Sequence, residues 1–419
     1  MNLANEITQM AQVAKQSAYA LATTPTALKN KVLHNMAKAI LSHKDFLMVE
    51  NQKDLAEAHR QNYPKALVDR LTMTEKVIKE MAVCLQETAQ LKDPVGEVMR
   101  TIKRPNGLMI KKIRTPIGVI GIIFESRPNV VSDCIGLCLK SGNAAILKGG
   151  REACFSNKAI FKVLQDVLKG SRIPHDSIHL IESTDREAVT ILLGLDKYVD
   201  LIIPRGGEEL IEFVASHSRI PVIKHYKGIC HIYVSHHADL GKALKICFNA
   251  KVQKPAVCNA METLLVEEKV AKKFLPRMIG DFQKANVEIR GCPVTRQIVK
   301  DGVKEATEED WEEEYLDLIL SVKVVKNLKD AVQHINRYGS HHSDAIITEN
   351  KKEAEEFLKS VDSACLYVNA STRFTDGYQF GFGAEIGIST DKLHARGPMA
   401  LEELTTYKYI VYGKGQIRT

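Results

Sequence analysis

The sequence predicts an α/β protein of two units, each a parallel sheet covered by helices, with a long β-hairpin arm. Three observations carry this reading. Apolar strand-like runs alternate with helical patterns from residue 116 onward, glycine turns follow two of the strands, and Asn106-Gly107 separates two alternating runs. The chain has 419 residues, and a domain usually holds about 100–200, so two or three domains are expected. Apolar residues make 45% and charged residues 26%, an ordinary globular balance that excludes a disordered or collagen-like chain. Lys plus Arg number 58 against 51 acids, a net charge of +7. So mild an excess suits small anionic ligands as well as nucleic acid. A single Trp and 6% aromatics argue against a stacking platform for single strands.

The N-terminal part reads as helix. Ile7, Met10, Ala14 and Ala18 recur near helical spacing over 5–22, and Leu28, Val32, Leu33, Met36 and Ile40 repeat this over Thr26–His43. Thr72, Thr74 and Lys76 open a further helix reaching Leu91, before Asp93-Pro94 breaks the pattern. These basic amphipathic helices are expected to pack on a domain rather than lie on a membrane. Alternation up to Arg104 and away from Leu108, about Asn106-Gly107, is the strongest short hairpin signal. An open strand edge seeks a partner, so this arm is expected to pair with another subunit, the alternative being a hairpin within its own domain.

From 116 to 224, strands at 117–124, 144–150, 178–182, 200–207 and 221–225 alternate with helices at Val130–Ser141, Glu152–Leu168, Asp185–Leu193 and Glu208–His217. That rhythm implies a parallel sheet covered on both faces. It repeats with strands at 231–235, 261–267, 319–325, 343–348 and 364–369, and helices at Leu240–Lys251, Glu268–Gln283, Leu328–Tyr338 and Lys352–Val361. The acidic run from Glu305 to Asp317, with Trp311, reads as a solvated insertion, and 405–413 alternates as a last strand.

Nine scattered cysteines include no Cys-x-x-Cys, so zinc-ribbon and thioredoxin-type motifs are excluded. No secretory signal is read at the N-terminus, and the longest apolar run, Ile117–Phe124, is far short of a membrane span. A cytoplasmic protein with reduced thiols is expected. Cys258 sits in the loop from Gln253 to Ala260, after a helix and before a strand, with Lys251 and Lys254 near enough in sequence to help hold a thiolate. Burial is the ordinary alternative for a cysteine. Lys148-Gly149-Gly150-Arg151 and Pro204-Arg205-Gly206-Gly207 each end a strand and feed a helix, which offers backbone N–H groups and a positive dipole end to a phosphate. Each also fits a plain turn, and neither is Gly-x-Gly-x-x-Gly. His236-His237 and His341-His342 with His334 complete no ligand pattern, so no metal is expected.

The stretches ESRPNV (125–130), ILKGGREA (146–153), DLIIPRGGEEL (200–210), QKPAVCNAMETLLV (253–266), AVQHINRYGSHHSDAII (331–347) and the run from YVNASTRF to HARGP (367–398) resemble the gamma-glutamyl phosphate reductase family, a branch of the aldehyde dehydrogenase superfamily. The resemblance covers essentially the whole chain. It implies an aldehyde dehydrogenase-like fold: a Rossmann-type NADPH-binding domain over 1–228, interrupted by an oligomerisation hairpin at 97–116, a catalytic domain over 229–390, and a C-terminal segment with an oligomerisation strand over 391–419. A homodimer or tetramer follows. The implied reaction is NADPH-dependent reduction of L-glutamyl 5-phosphate to glutamate 5-semialdehyde in proline biosynthesis, with release of phosphate. The implied partner is a small-molecule substrate, with no nucleic acid and no membrane; a contact with glutamate 5-kinase stays open.

Cys258 matches the family's catalytic cysteine, which forms a thioester with the substrate. Its backbone N–H and a second donor would hold the oxyanion; Arg127 stands either for that donor or for a grip on the leaving phosphate. Lys148, Gly149, Arg151, Arg205, Gly206 and Gly207 are the cofactor candidates. Glu314 matches the glutamate that holds the nicotinamide ribose, or is one more acid of the surface run. Asn259, Asn369, Arg373 and Arg396 are the substrate candidates, with the arginine for the α-carboxylate undecided. Two departures from the superfamily stand out. Where hydrolytic members keep a glutamate, this chain has His225-Tyr226-Lys227-Gly228, so no carboxylate is there to activate water, and His225 is either a base or structural. Where NAD-preferring relatives place a glutamate, this chain has Arg151, which suits the 2′-phosphate of NADPH. The competing readings are aldehyde oxidation by water and a basic nucleic-acid-binding protein.

Overall fold

The computed structural model describes residues 2–418; Met1 and Thr419, the outer ends of the expected segments 1–228 and 391–419, lie outside the described residues. The chain forms two units. The first runs to Lys224 and takes back Gly381–Gly387 and the chain from Met399; the second comprises His225–Phe380 and Ile388–Pro398. The expected C-terminal segment is thus divided between them.

The first unit begins with five helices: α1 (Leu3–Leu21), α2 (Thr26–Ser42), α3 (Lys44–Arg60), α4 (Lys65–Leu71) and α5 (Glu75–Gln90). The Asn2 side chain caps α1 by accepting the Asn5 N–H at 2.9 Å, and the Thr74 hydroxyl caps α5. Helices α3 and α4 were not legible in the sequence. The apolar stripe of α3 is thin, and its buried face includes Asn51 and Asp54 beside Leu47, Leu55 and Ala58. These polar side chains are satisfied far along the chain: Asn51 Nδ2 donates to the Leu71 carbonyl at 2.8 Å, and Asp54 accepts the Phe155 and Ser156 N–H groups at 3.1 and 2.8 Å.

The hairpin forms as expected from β1 (Val98–Lys103) and β2 (Met109–Pro116). The other edge of β2 is taken by the same chain's last strand, β16 (Thr405–Tyr412), in antiparallel register from Thr405 opposite Pro116 to Tyr412 opposite Met109. Then follow β3 (Val119–Phe124), α6 (Val130–Lys140), β4 (Ala144–Gly149), α7 (Cys154–Lys169), β5 (Ile178–Leu180), α8 (Glu187–Leu193), β6 (Leu201–Arg205) and α9 (Glu208–His217). Their strands make a parallel sheet in the order β5-β4-β3-β6. Every residue of β3 is buried, which explains its unbroken apolar sequence. The strand expected at 221–225 is only a single parallel bridge between Val222 and Ile202. Pro221 accepts the Ile202 N–H at 2.9 Å but has no N–H to lengthen the ladder.

The second unit contains β7 (Cys230–Val234), α10 (Leu240–Val252), β8 (Met261–Glu267), α11 (Glu268–Lys284), β9 (Glu288–Gly291), α12 (Pro293–Ile298), β10 (Val303–Glu305), β11 (Ile319–Val325), α13 (Leu328–Tyr338), β12 (Ser343–Ile347), α14 (Lys351–Ser360) and β13 (Cys365–Val368). Two short strands, β14 (Gly387–Ser389) and β15 (Gly397–Met399), come later in the chain. The seven-stranded parallel sheet has the order β10-β9-β11-β8-β7-β12-β13. Ile232, Leu264, Phe274, Phe282 and Val322 fill the core on one face, and Tyr233, Leu265, Ile346 and Phe357 on the other. The acidic run is only partly a solvated insertion. Glu305, Glu308, Glu309, Glu312 and Glu313 are exposed, but Asp310 pairs with Arg290 at 2.5 Å and Trp311 is buried against His334. No helix of the described residues is long and apolar enough to cross a membrane.

Candidate active site

In the second unit, the loop 253–260 hangs between the end of α10 and the start of β8. It presents Cys258 half-buried, whereas Cys230, Cys247, Cys292 and Cys365 are buried. Gly228 packs on the backbone of Cys258 so closely that a Cβ there would overlap the Cys258 carbonyl oxygen and Cα. The same carbonyl accepts the Cys230 thiol, Sγ to O 3.2 Å. Burial pushes the Cys230 thiol well up, which keeps it a protonated donor.

Asn259 is fastened on three sides. Its Nδ2 donates to the Thr375 carbonyl at 2.7 Å, its carbonyl accepts the Thr372 hydroxyl at 2.7 Å, and its Oδ1 accepts from Arg373 Nη1. Arg373 Nε also donates to Gln253 Oε1 at 2.9 Å, so one guanidinium ties both ends of the Cys258 loop. Thr375 is itself held through its hydroxyl by Ser343 at 2.6 Å and Tyr367 at 2.7 Å. Burial lowers the Arg373 pKa, and the charge of the Cys258 thiolate opposes that shift. An arginine stays charged regardless, so Arg373 sets a fixed cation within electrostatic reach of Cys258.

The structure thus gathers Cys258, Asn259 and Arg373. Two other expected substrate residues are engaged elsewhere in the same unit. Asn369 accepts the Thr348 N–H at 3.0 Å and donates to the Thr348 carbonyl at 2.8 Å, continuing the β12–β13 pairing through a side chain. Arg396 grips Asp362, Nη1 to Oδ1 at 2.8 Å and Nη2 to the carbonyl at 3.1 Å. Hydrogen bonds from Lys392 and then Arg396 hold the Asp362 carboxyl down to about 2. His225 stands edge-on to His342, ring centroids 5.7 Å apart. Glu314 is half-buried in the segment before β11, where its charge reaches Glu262 at the start of β8.

In the first unit, the strand order reverses at β3: β4 and β5 follow on one side and β6 on the other. The carboxyl ends of strands at such a switch point are where open α/β sheets bind ligands. Lys148, Gly149, Arg205, Gly206 and Gly207 all lie at these ends. At both helix starts a carboxylate already takes backbone N–H groups. Asp54 already caps α7 through the Phe155 and Ser156 N–H groups, and Glu125 accepts the Gly207 N–H at 3.1 Å ahead of α9. Lys148 Nζ donates to the Gly149 carbonyl at 2.8 Å, and burial lowers its pKa. Arg151 is exposed, while the adjacent Glu152 accepts the Ser126 N–H at 2.6 Å. Arg127 is exposed in the loop between β3 and α6. Arg205 lies against Gly387, where a Cβ would meet Nη1 at 2.7 Å.

A cleft beside β4 and β5 is lined by Gly149, Gly150, Asn157, Lys158, Glu182 and Thr184. Asn157 Oδ1 is buried there without a hydrogen-bond partner, and a Cβ on Gly149 would overlap the Asn157 amide. A buried acceptor without a partner calls for a donor, which a water or a ligand hydroxyl would supply. Sequence reasoning missed Gly228, Cys230, Asp54, Glu125 and Asn157. Glu125 and Gly228 stand in stretches already singled out, but their roles, like those of the other three, depend on neighbours brought by the fold.

The aldehyde dehydrogenase family model matches residues 2–296. The gamma-glutamyl phosphate reductase of Nautilia profundicola is 56% identical over 404 residues, 96% of this chain and 98% of that protein. That of Thermodesulfovibrio yellowstonii is 54% identical over 418 residues, the whole of both chains. The crystal structure of the gamma-glutamyl phosphate reductase from Thermotoga maritima is 47% identical, with a TM-score of 0.96 over 98% of this chain and 99% of that one. The chain belongs to the gamma-glutamyl phosphate reductases of the aldehyde dehydrogenase family. It is therefore an oxidoreductase with the aldehyde dehydrogenase-like α/β fold that the sequence led us to expect. The family uses a nicotinamide cofactor.

Proposed function

We propose that this protein reduces L-glutamyl 5-phosphate to L-glutamate 5-semialdehyde with release of phosphate, using NADPH, as a step of proline biosynthesis in the cytoplasm. The observation that carries the reading is the Cys258 loop: a half-buried cysteine, a guanidinium that ties both ends of its loop, and no carboxylate in His225-Tyr226-Lys227-Gly228 to activate water. The Cys258 thiolate attacks the acyl carbon, the carbon–oxygen bond to phosphate breaks, and a thioester remains. The Cys258 backbone N–H stabilises the oxyanion as it forms. Arg373, bonded to Gln253 and Asn259, holds the loop that carries the sulfur. A nicotinamide cofactor, when bound, supplies the hydride. Gly149, Asn157, Lys148, Arg151, Gly206 and Gly207 are the first-unit residues that would hold it.

Assembly as a dimer or tetramer through the three-stranded sheet, and a contact with the glutamate 5-kinase that makes the acyl phosphate, belong to the same proposal. Run in reverse, semialdehyde and NADP⁺ should yield NADPH only when phosphate is supplied. Phosphate-independent oxidation would favour aldehyde oxidation by water instead.

The choice of NADPH rests on Arg151. Arg151→Glu should lower kcat/KM for NADPH by about 10–100-fold, the scale of one charge-assisted phosphate contact, and leave NADH turnover nearly unchanged. Equal use of both cofactors by the wild type, or an unaltered preference in the variant, would remove Arg151 from this role.

A further inference from the structure

Lys251 and Glu262 flank the Cys258 loop: Lys251 is the penultimate residue of α10 and Glu262 the second of β8. Lys251 Nζ lies 2.6 Å from Glu262 Oε2, and both side chains are fully buried. We propose that this pair is a positioning clasp, which draws together the two ends of the Cys258 loop and fixes the segment Glu314–Leu316 against them. The inference rests on the reading of Cys258 as the nucleophile.

Three further observations support it. The second carboxylate oxygen, Oε1, accepts the Leu316 N–H at 3.4 Å. Leu316 holds φ +52°, a left-handed conformation that leucine rarely adopts and that needs surrounding contacts to persist. Lys251 Nζ also lies 5.9 Å from the ring of Tyr315, whose hydroxyl bonds Asp310 and Ser321, each at 2.8 Å. The clasp therefore joins the nucleophile's loop to the segment bearing Glu314.

A stabilising role alone does not account for the pair. Burying two charges is costly, and apolar side chains of similar volume usually serve stability as well or better. Desolvation raises the Glu262 pKa and lowers that of Lys251, each against the pull of its partner, which marks the cost of burying the pair. What the pair supplies is direction: one lysine head, one carboxylate and two defined bonds.

The test compares Lys251→Met, Glu262→Gln and the double variant Lys251→Met/Glu262→Leu. Three readouts are needed: the urea midpoint, kcat and KM, and the rate of iodoacetamide alkylation at Cys258 across pH 6 to 9, read by peptide mass spectrometry. Each single variant should lose about 10–100-fold in kcat with little change in KM, as a displaced nucleophile does. Alkylation should slow about fivefold or more. The double variant should recover the urea midpoint yet keep the low kcat and the slow alkylation. Recovery of kcat and alkylation along with stability would make the pair purely structural and overturn the clasp. Single variants within about twofold of wild type in both readouts would overturn it as well. If the wild type shows no phosphate-dependent turnover, the functional reading fails, and the alkylation rates alone decide the clasp.

Discussion

Cys258→Ala is expected to lose phosphate-dependent NADPH formation by at least about 10³-fold, since no other group can take over covalent attack. Its fold should survive. The thiol is half-buried at the tip of a loop, and the loop is held by Asn259, Arg373 and Cys230 rather than by Cys258 Sγ. Circular dichroism and the thermal midpoint should therefore match the wild type. The cysteine nearest to it, Cys230, cannot substitute: it is fully buried and its thiol is held protonated. Steady-state rates with semialdehyde, NADP⁺ and phosphate check this. A variant retaining a tenth or more of wild-type activity would remove Cys258 from the role of nucleophile.

Gly228→Ala is expected to be nearly as damaging without touching any reactive atom. The added methyl would overlap the carbonyl oxygen and Cα of Cys258. These are backbone atoms, and neither side can give easily. The Cys258 carbonyl is bonded to Cys230, and the next residue is anchored by Thr372 and Thr375. The cysteine must shift, and displacement by about 1 Å typically costs about 10²-fold in rate. Overpacking at such a site should also cost about 1–3 kcal/mol of stability. Kinetics and urea unfolding of the same preparation separate the two effects. A stable variant with wild-type kcat would show that the observed backing of Cys258 by Gly228 does not matter to catalysis.

The sequence was most informative where structure is local. Alternation of apolar strands and helices specified most strands of both parallel sheets, though not β9 and β10, and Asn106-Gly107 specified the hairpin. It was least informative where long-range contacts decide. Helix α3 hides its packing face behind Asn51 and Asp54, whose partners lie 20 to 105 residues away. Nothing near Arg396 announces that Asp362, 34 residues earlier, holds it. Likewise Gly149-Gly150-Arg151 reads as a phosphate turn, but Asp54 from α3 already caps the helix it feeds. One signal was available and unused: Glu262 stands second in the strand Met261–Glu267, which is buried throughout, and a buried carboxylate requires a partner. Lys251, one helix end away, is that partner.

The reaction's covalent step is open to direct inspection. Enzyme mixed with semialdehyde and NADP⁺, without phosphate, should release one equivalent of NADPH per active site and then stop. The peptide containing Cys258 should carry the mass of a glutamyl thioester, and added phosphate should discharge it and restart turnover. Continued NADPH formation without phosphate, or a burst that leaves Cys258 unmodified, would contradict the account.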